Sequence, residues 1–262
     1  MQAKDCVFVD THAHLNDPKY TRDLAAVRAR AREAGVAAII CVGYDLTSSR
    51  LAVRLAGTSP DIYAAVGFHP HDAAGVTPRA WEGLRILCQN ERVVALGEMG
   101  FDFYRNLSPR DVQEEVFRRQ LQLAGELNLP VIIHDRAAHR ETLAVLKEFS
   151  GLPGIVFHCF SGGPRIAEEC LKRGYYLGIA GPVTFPKSEE LTGAVRVAPL
   201  GRLLLETDCP YLAPQPWRGK RNEPSYLTAV AGAVSRIKGI ALAEVAAATT
   251  ANARCLFRLP AP

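Results

Sequence analysis

A chain of 262 residues that is 48% apolar and 22% charged has the make-up of a globular protein with a real core. No apolar run approaches the roughly 18 residues that span a bilayer, so a membrane role is not expected. The net charge of +4 permits an anionic substrate but excludes a protein that coats nucleic acid by bulk charge. The start, Met1-Gln2-Ala3-Lys4-Asp5-Cys6, lacks the basic stretch and long apolar segment of a secretory leader. Seven cysteines without CxxC pairs point to a reducing, cytoplasmic setting.

Short apolar, β-branched runs recur at 7–10, 37–42, 62–66, 93–96, 131–134, 154–158, 175–179 and 203–206. Most are continuous rather than alternating, the mark of strands buried on both faces of a parallel sheet. Helical patterns lie between and after them, over 21–34, 47–55, 78–89, 109–127, 137–149, 164–172, 189–197, 224–238 and 242–256. The clearest is 109–127: Ser108 is placed to cap it, Pro109 fits the first helical position, and Asn128 and Pro130 end it. Eight strand–helix repeats predict a (β/α)8 TIM barrel that takes the whole chain, 1–262, as a single domain. An open doubly wound sheet is the alternative.

Metal-capable residues collect at the ends of these runs. Asp10, His12 and His14 close the first, Glu98 the fourth, His134 the fifth, His158 the sixth, and Glu206 and Asp208 the eighth. On a barrel, the C-terminal strand ends form one rim, where the active site sits. His12 and His14, two apart on a strand, share a face as two ligands to one ion must. Cys159 and Cys209 are expected to point away from His158 and Asp208 by the same period. Imidazole and carboxylate together suit Zn, Mn, Fe or Ni better than Ca. Two such ions need a bridging ligand, and Glu98 is the candidate; a bound water then supplies hydroxide near neutral pH. Asp208 can hold a metal and also orient that water. Asp10 and Glu206 read as carboxylates that fix the ligating imidazoles.

The segments Val9-Asp10-Thr11-His12-Ala13-His14-Leu15, Gly67-Phe68-His69-Pro70, Gly97-Glu98-Met99-Gly100-Phe101-Asp102, Pro130-Val131-Ile132-Ile133-His134, His158-Cys159-Phe160-Ser161-Gly162, Glu206-Thr207-Asp208-Cys209-Pro210 and Arg218-Gly219-Lys220-Arg221-Asn222 together resemble the TatD family of metal-dependent hydrolases, over essentially the whole chain. The resemblance implies a TIM barrel of the amidohydrolase type and a 3′-to-5′ deoxyribonuclease acting on single-stranded DNA. It implies that His12, His14 and Asp208 hold one divalent ion (Zn, Mn or Mg), that Glu98 bridges, and that His134 and His158 hold a second. Met99 and Phe101 stand where the family has aliphatic residues, and Asp135-Arg136 where it often has Ser-Arg.

A phosphodiester also needs cations and donors. Arg218, Lys220, Arg221 and Asn222 follow the last strand and are expected to contact phosphate, with Arg136 and His69 as further candidates. Tyr104, Phe185 and Trp217 are placed to stack on bases. His71 and His139 read as ordinary polar residues. A carboxylic ester or amide, such as the ester of an aminoacyl-tRNA, is the alternative substrate. No protein partner is inferable from the sequence.

Overall fold

The computed structural model describes residues 6–260; residues 1–5, read above for the absence of a leader, lie outside the described residues. Eight strands are hydrogen-bonded in chain order, with helices between them: β1 (Phe8–Ala13), α1 (Leu24–Glu33), β2 (Val36–Val42), α2 (Leu46–Gly57), β3 (Ile62–Val66), α3 (Pro78–Leu87), β4 (Val93–Asp102), α4 (Arg110–Leu127), β5 (Val131–Arg136), α5 (His139–Lys147), β6 (Ile155–Phe157), α6 (Pro164–Lys172), β7 (Tyr176–Ile179), α7 (Glu189–Val197), β8 (Leu203–Leu205), α8 (Leu227–Lys238) and α9 (Leu242–Phe257). A parallel bridge between Ala13 and Cys209 returns the segment after β8 to β1. This is the (β/α)8 barrel class that the alternation predicts, not the open sheet. Every residue of β1 and of β3 is buried, as parallel strands covered on both faces require. No described helix is long and apolar enough to cross a membrane.

The chain divides into two compact units, one running to Ile40 and resuming at His158, the other Cys41–Phe157. In the first, α9 ties the start of β1 to the start of β8. Thr250 donates to the Val7 carbonyl at 2.7 Å, and Asn252 donates to the carbonyls of Leu200 and Leu203, both at 2.9 Å. In the second unit, α4 buries two glutamines that clamp loop backbone. The Gln120 amide accepts from Phe68 N–H at 2.7 Å and donates to its carbonyl at 3.0 Å, next to His69. Gln113 accepts from Asp102 N–H at 2.9 Å and donates to the Ser108 carbonyl at 2.8 Å.

Three local readings of the sequence change. Ser108 does not cap α4; Pro109 holds that position, and the Ser108 hydroxyl donates to the His71 carbonyl at 2.8 Å and accepts from Ala74 N–H at 3.1 Å. The neighbouring 3-10 turn Pro70–Gly75 competes successfully for that hydroxyl. Cys159 and Cys209 lie beyond the ends of β6 and β8, so the period-two argument does not apply to them.

The third change concerns β4, which runs on to Asp102 and so carries Glu98 within the strand rather than at its end. The pattern breaks at Gly97 and Gly100, which hides the strand in sequence. Their φ angles of +138° and +141° are open to glycine but not to other residues. A Cβ on Gly97 would come within 2.5 Å of the Ile132 carbonyl, and one on Gly100 would strike the His134 carbonyl. The β4–β5 register shifts between Leu96 and Met99, and this irregularity aims Glu98. Gly100→Ala is expected to destabilise the protein by about 1–3 kcal/mol, read from a denaturant melt.

Candidate metal centre

In the first unit, β1 delivers His12 and, one residue past its end, His14. The loop after β8 delivers Asp208. Backbone hydrogen bonds lock the two segments together: Asp208 N–H donates to the His12 carbonyl at 2.8 Å, and His14 N–H to the Cys209 carbonyl at 2.7 Å. Asp208 adopts a left-handed backbone with φ 56°, a conformation a non-glycine residue keeps only when its surroundings enforce it. His12 Nε2 and His14 Nε2 stand 3.3 Å apart, and Asp208 Oδ1 is 3.4 Å from the His14 nitrogen and 3.8 Å from the His12 nitrogen. Ligands about 2.0–2.1 Å from a tetrahedral Zn ion lie roughly 3.3 Å from one another. The three donors fit an ion, and all three residues are buried.

Asp10 does not touch an imidazole ring. Its carboxylate accepts from Thr207 N–H at 3.0 Å, from the Thr207 hydroxyl at 2.6 Å and from His12 backbone N–H at 3.4 Å. It fixes the chain that bears His12 and Asp208 rather than a ring. Burial pushes its pKa up to about 7 against those hydrogen bonds, with the Glu206 charge adding to the rise. Glu206 takes the ring-holding role: its carboxylate lies 3.5 Å from His158 Nδ1 and accepts from Cys159 N–H at 2.5 Å. Burial raises its pKa, opposed by the neighbouring His158 imidazole. The His158 ring stacks on His12 with centroids 4.0 Å apart, so His12, His158 and Glu206 form a second cluster of donor atoms in this unit.

In the second unit, Glu98 and His134 meet on neighbouring strands, with Glu98 Oε2 3.3 Å from His134 Nδ1. His69 joins them from the segment after β3, its Nε2 3.2 Å from His134 Nδ1 and 3.8 Å from Glu98 Oε2. The hydrogen-bond network assigns the tautomers. His71 backbone N–H donates to His69 Nδ1 at 3.0 Å, so neutral His69 carries its proton on Nε2. His134 Nε2 faces Asp102 Oδ2 at 3.2 Å and keeps its proton there, which turns the Nδ1 lone pair toward Glu98. His69 is therefore an N–H donor, while Glu98 and His134 are the lone-pair donors of this cluster.

Asp102 was not singled out in sequence, and His71 read as an ordinary polar residue. Both belong to this network: His71 Nε2 donates to Asp102 Oδ2 at 2.8 Å. Burial works to raise the Asp102 pKa, but hydrogen bonds from His134, Arg105 N–H and His71 outweigh it and hold the carboxyl below the usual range. The available signal was period two, which places Glu98, Gly100 and Asp102 on one face once β4 is extended.

The substrate candidates are placed unequally. Arg136, Arg218 and Lys220 are exposed. Arg136 lies over the Tyr104 ring at 4.2 Å and Arg218 over Phe185 at 4.5 Å. Arg221 is engaged within the fold, donating to Asp23 at 2.8 and 2.6 Å and to the Lys19 carbonyl at 2.7 Å. Asn222 is fully buried, donating to the carbonyls of Thr207 and Tyr211 at 2.8 and 2.7 Å while its side-chain oxygen accepts from Glu223 N–H at 2.9 Å. Both brace the loop instead of presenting donors to a ligand. Trp217 stacks on Tyr226 at 4.0 Å. His139, also read as ordinary, pairs with buried Asp135 at 2.6 Å.

A (β/α)8 barrel that gathers imidazoles and carboxylates from its strands and the loops after them has the make-up of a metal-dependent hydrolase. Residues 9–258 match the family described as TatD related DNase. The metal-dependent hydrolase YabD of Bacillus subtilis, which carries the label uncharacterized, is 45% identical over 95% of this chain and 98% of its own length. A protein of Klebsiella pneumoniae named 3'-5' ssDNA/RNA exonuclease TatD is 39% identical over 95% of this chain and 97% of its own. The crystal structure of YJJV, a TatD homolog from Escherichia coli, superposes with a TM-score of 0.93 at 31% identity, covering 97% of this chain and 99% of that one. The chain belongs to the TatD related DNase family.

Asp102→Asn, which removes the carboxylate that fixes the His134 ring, is expected to weaken Zn2+ or Mn2+ binding about 10- to 100-fold, measured by chelator competition. The His139 pKa is raised by its hydrogen bond to Asp135. That pairing therefore stabilises fully below the ordinary His value near 6.5 and fades as pH rises through the raised value. Against His139→Gln, the native chain should lead by up to about 1 kcal/mol at acidic pH, with the lead shrinking toward alkaline pH in parallel melts.

Proposed function

We propose that this protein is a metal-dependent phosphodiester hydrolase acting on nucleic acid, a 3′-to-5′ exodeoxyribonuclease of single-stranded DNA that works with two divalent ions. The observation that carries this reading is the convergence of His12, His14 and Asp208, with donor atoms 3.3, 3.4 and 3.8 Å apart. The printed activity of the Klebsiella relative supports the choice of substrate. His12, His14 and Asp208 hold one ion. Glu98 and His134 are the donors we assign to a second, and His158, held by Glu206, flanks His12. Bound there, Zn, Mn or Mg would activate water and offset charge on the phosphoryl group.

The chain's own groups do the rest. Asp208 orients the attacking water. His69 presents its Nε2 proton to a phosphoryl oxygen, and His71 N–H holds the ring in that tautomer. Arg136, Arg218 and Lys220 attract and hold the phosphate backbone. The whole chain acts as one hydrolase domain. Seven cysteines without CxxC pairs fit a reducing, cytoplasmic setting.

The test is a 5′-labelled single-stranded DNA oligomer, with Mg, Mn or Zn added back to metal-stripped protein. A metal-dependent ladder shortening from the 3′ end, reduced at least about 100-fold in Glu98→Ala, is expected. Hydrolysis of an aminoacyl-tRNA or simple ester with no DNA cleavage under any metal would overturn the reading and move the site to a carbonyl substrate.

A further inference from the structure

We propose that the loop between β4 and α4 is a stacking platform for a nucleobase of a single-stranded substrate, with the Tyr104 ring as its face. The proposal rests on the nuclease reading above and deepens it. Tyr104 and Leu107, 69% and 63% exposed, are the two most exposed large apolar side chains among the described residues. Neither packs into the core. The Arg136 guanidinium lies over the Tyr104 ring at 4.2 Å. A base resting on that ring would bring its phosphate beside a cation that the ring already holds in place. Exposed Arg105 and Arg110 follow Tyr104 in sequence, with Arg110 over the Phe103 ring at 4.1 Å.

The loop is braced at several points. Asp102 accepts from Arg105 N–H at 2.7 Å, Asn106 N–H donates to the Asp102 carbonyl at 3.1 Å, and Phe103 N–H donates to the Arg136 carbonyl at 2.9 Å. Gln113 holds the far side through the Ser108 carbonyl. A loop backbone fixed in advance loses little freedom when a base stacks on the ring it carries. Placement gives the platform its use. Arg136 pairs with Asp102 in the β4–β5 register, two positions beyond the pairing of His134 with Gly100. Tyr104 and Arg136 therefore spring from the ends of the two strands that carry Glu98 and His134. The carboxylate that orients His134 also anchors the loop. Stacking on a ring tolerates any base, as removal of successive nucleotides requires.

The experiment uses the metal-replete full chain and fluorescence anisotropy with two hydrolysis-resistant phosphorothioate decamers, one of thymidylate and one abasic. The native protein is expected to bind the thymidylate strand about tenfold more tightly than the abasic strand. Tyr104→Phe should keep that preference and Tyr104→Ala should abolish it. Equal binding of both strands by the native protein, or an unchanged preference in Tyr104→Ala, would overturn the platform and leave the nuclease reading standing. Binding of neither strand would overturn both.

Discussion

Two backbone hydrogen bonds, from Asp208 N–H to the His12 carbonyl and from His14 N–H to the Cys209 carbonyl, hold together side chains nearly 200 positions apart in the chain. Everything about the first cluster of donors follows from this lock. The ligand side chains need not find one another; their backbones are already paired. The left-handed turn at Asp208 is tolerable because both of its flanks are pinned, and the buried Asp10 carboxylate adds three further bonds to the same two segments. Burying that carboxylate raises its pKa, so its role requires the hydrogen bonds it accepts.

The second unit solves the same problem differently. There the organising group is a side chain, the Asp102 carboxylate. It receives His134, His71 and the Arg105 N–H, so one buried charge sets a ring orientation, a neighbouring imidazole and the course of a loop. Gln113 and Gln120 complete the arrangement by bonding to loop backbone from inside a helix. These are buried polar groups with partners, which rigidify rather than weaken a core. The tautomers of His69 and His134 follow from this network and from no property of the residues alone.

The sequence was most informative where periodicity carries over long spans. The eight apolar runs and the helices between them were legible because burial on both faces leaves continuous β-branched stretches. The positions of His12, His14, His134, His158 and Asp208 at or near strand ends could be read from the same map. Glu98 could be found but not correctly placed, since Gly97 and Gly100 break the pattern of a strand that continues through them. Arg221 and Asn222 looked like substrate contacts because a basic loop carries no sign of its partners. Asp23 and the carbonyls of Thr207 and Tyr211 are remote or unmarked in sequence.

What the sequence determined by itself, then, was the repeating strand–helix order, the barrel class and a set of candidate metal-binding side chains. These depend on residue type and local period, both of which are properties of short stretches. The tertiary structure alone decided which donors share a cluster, which nitrogen of each histidine bears the proton, and which cations are engaged within the fold. Those outcomes turn on contacts between segments far apart in the chain. Hydrogen bonds to buried backbone set such contacts, and no local pattern encodes them.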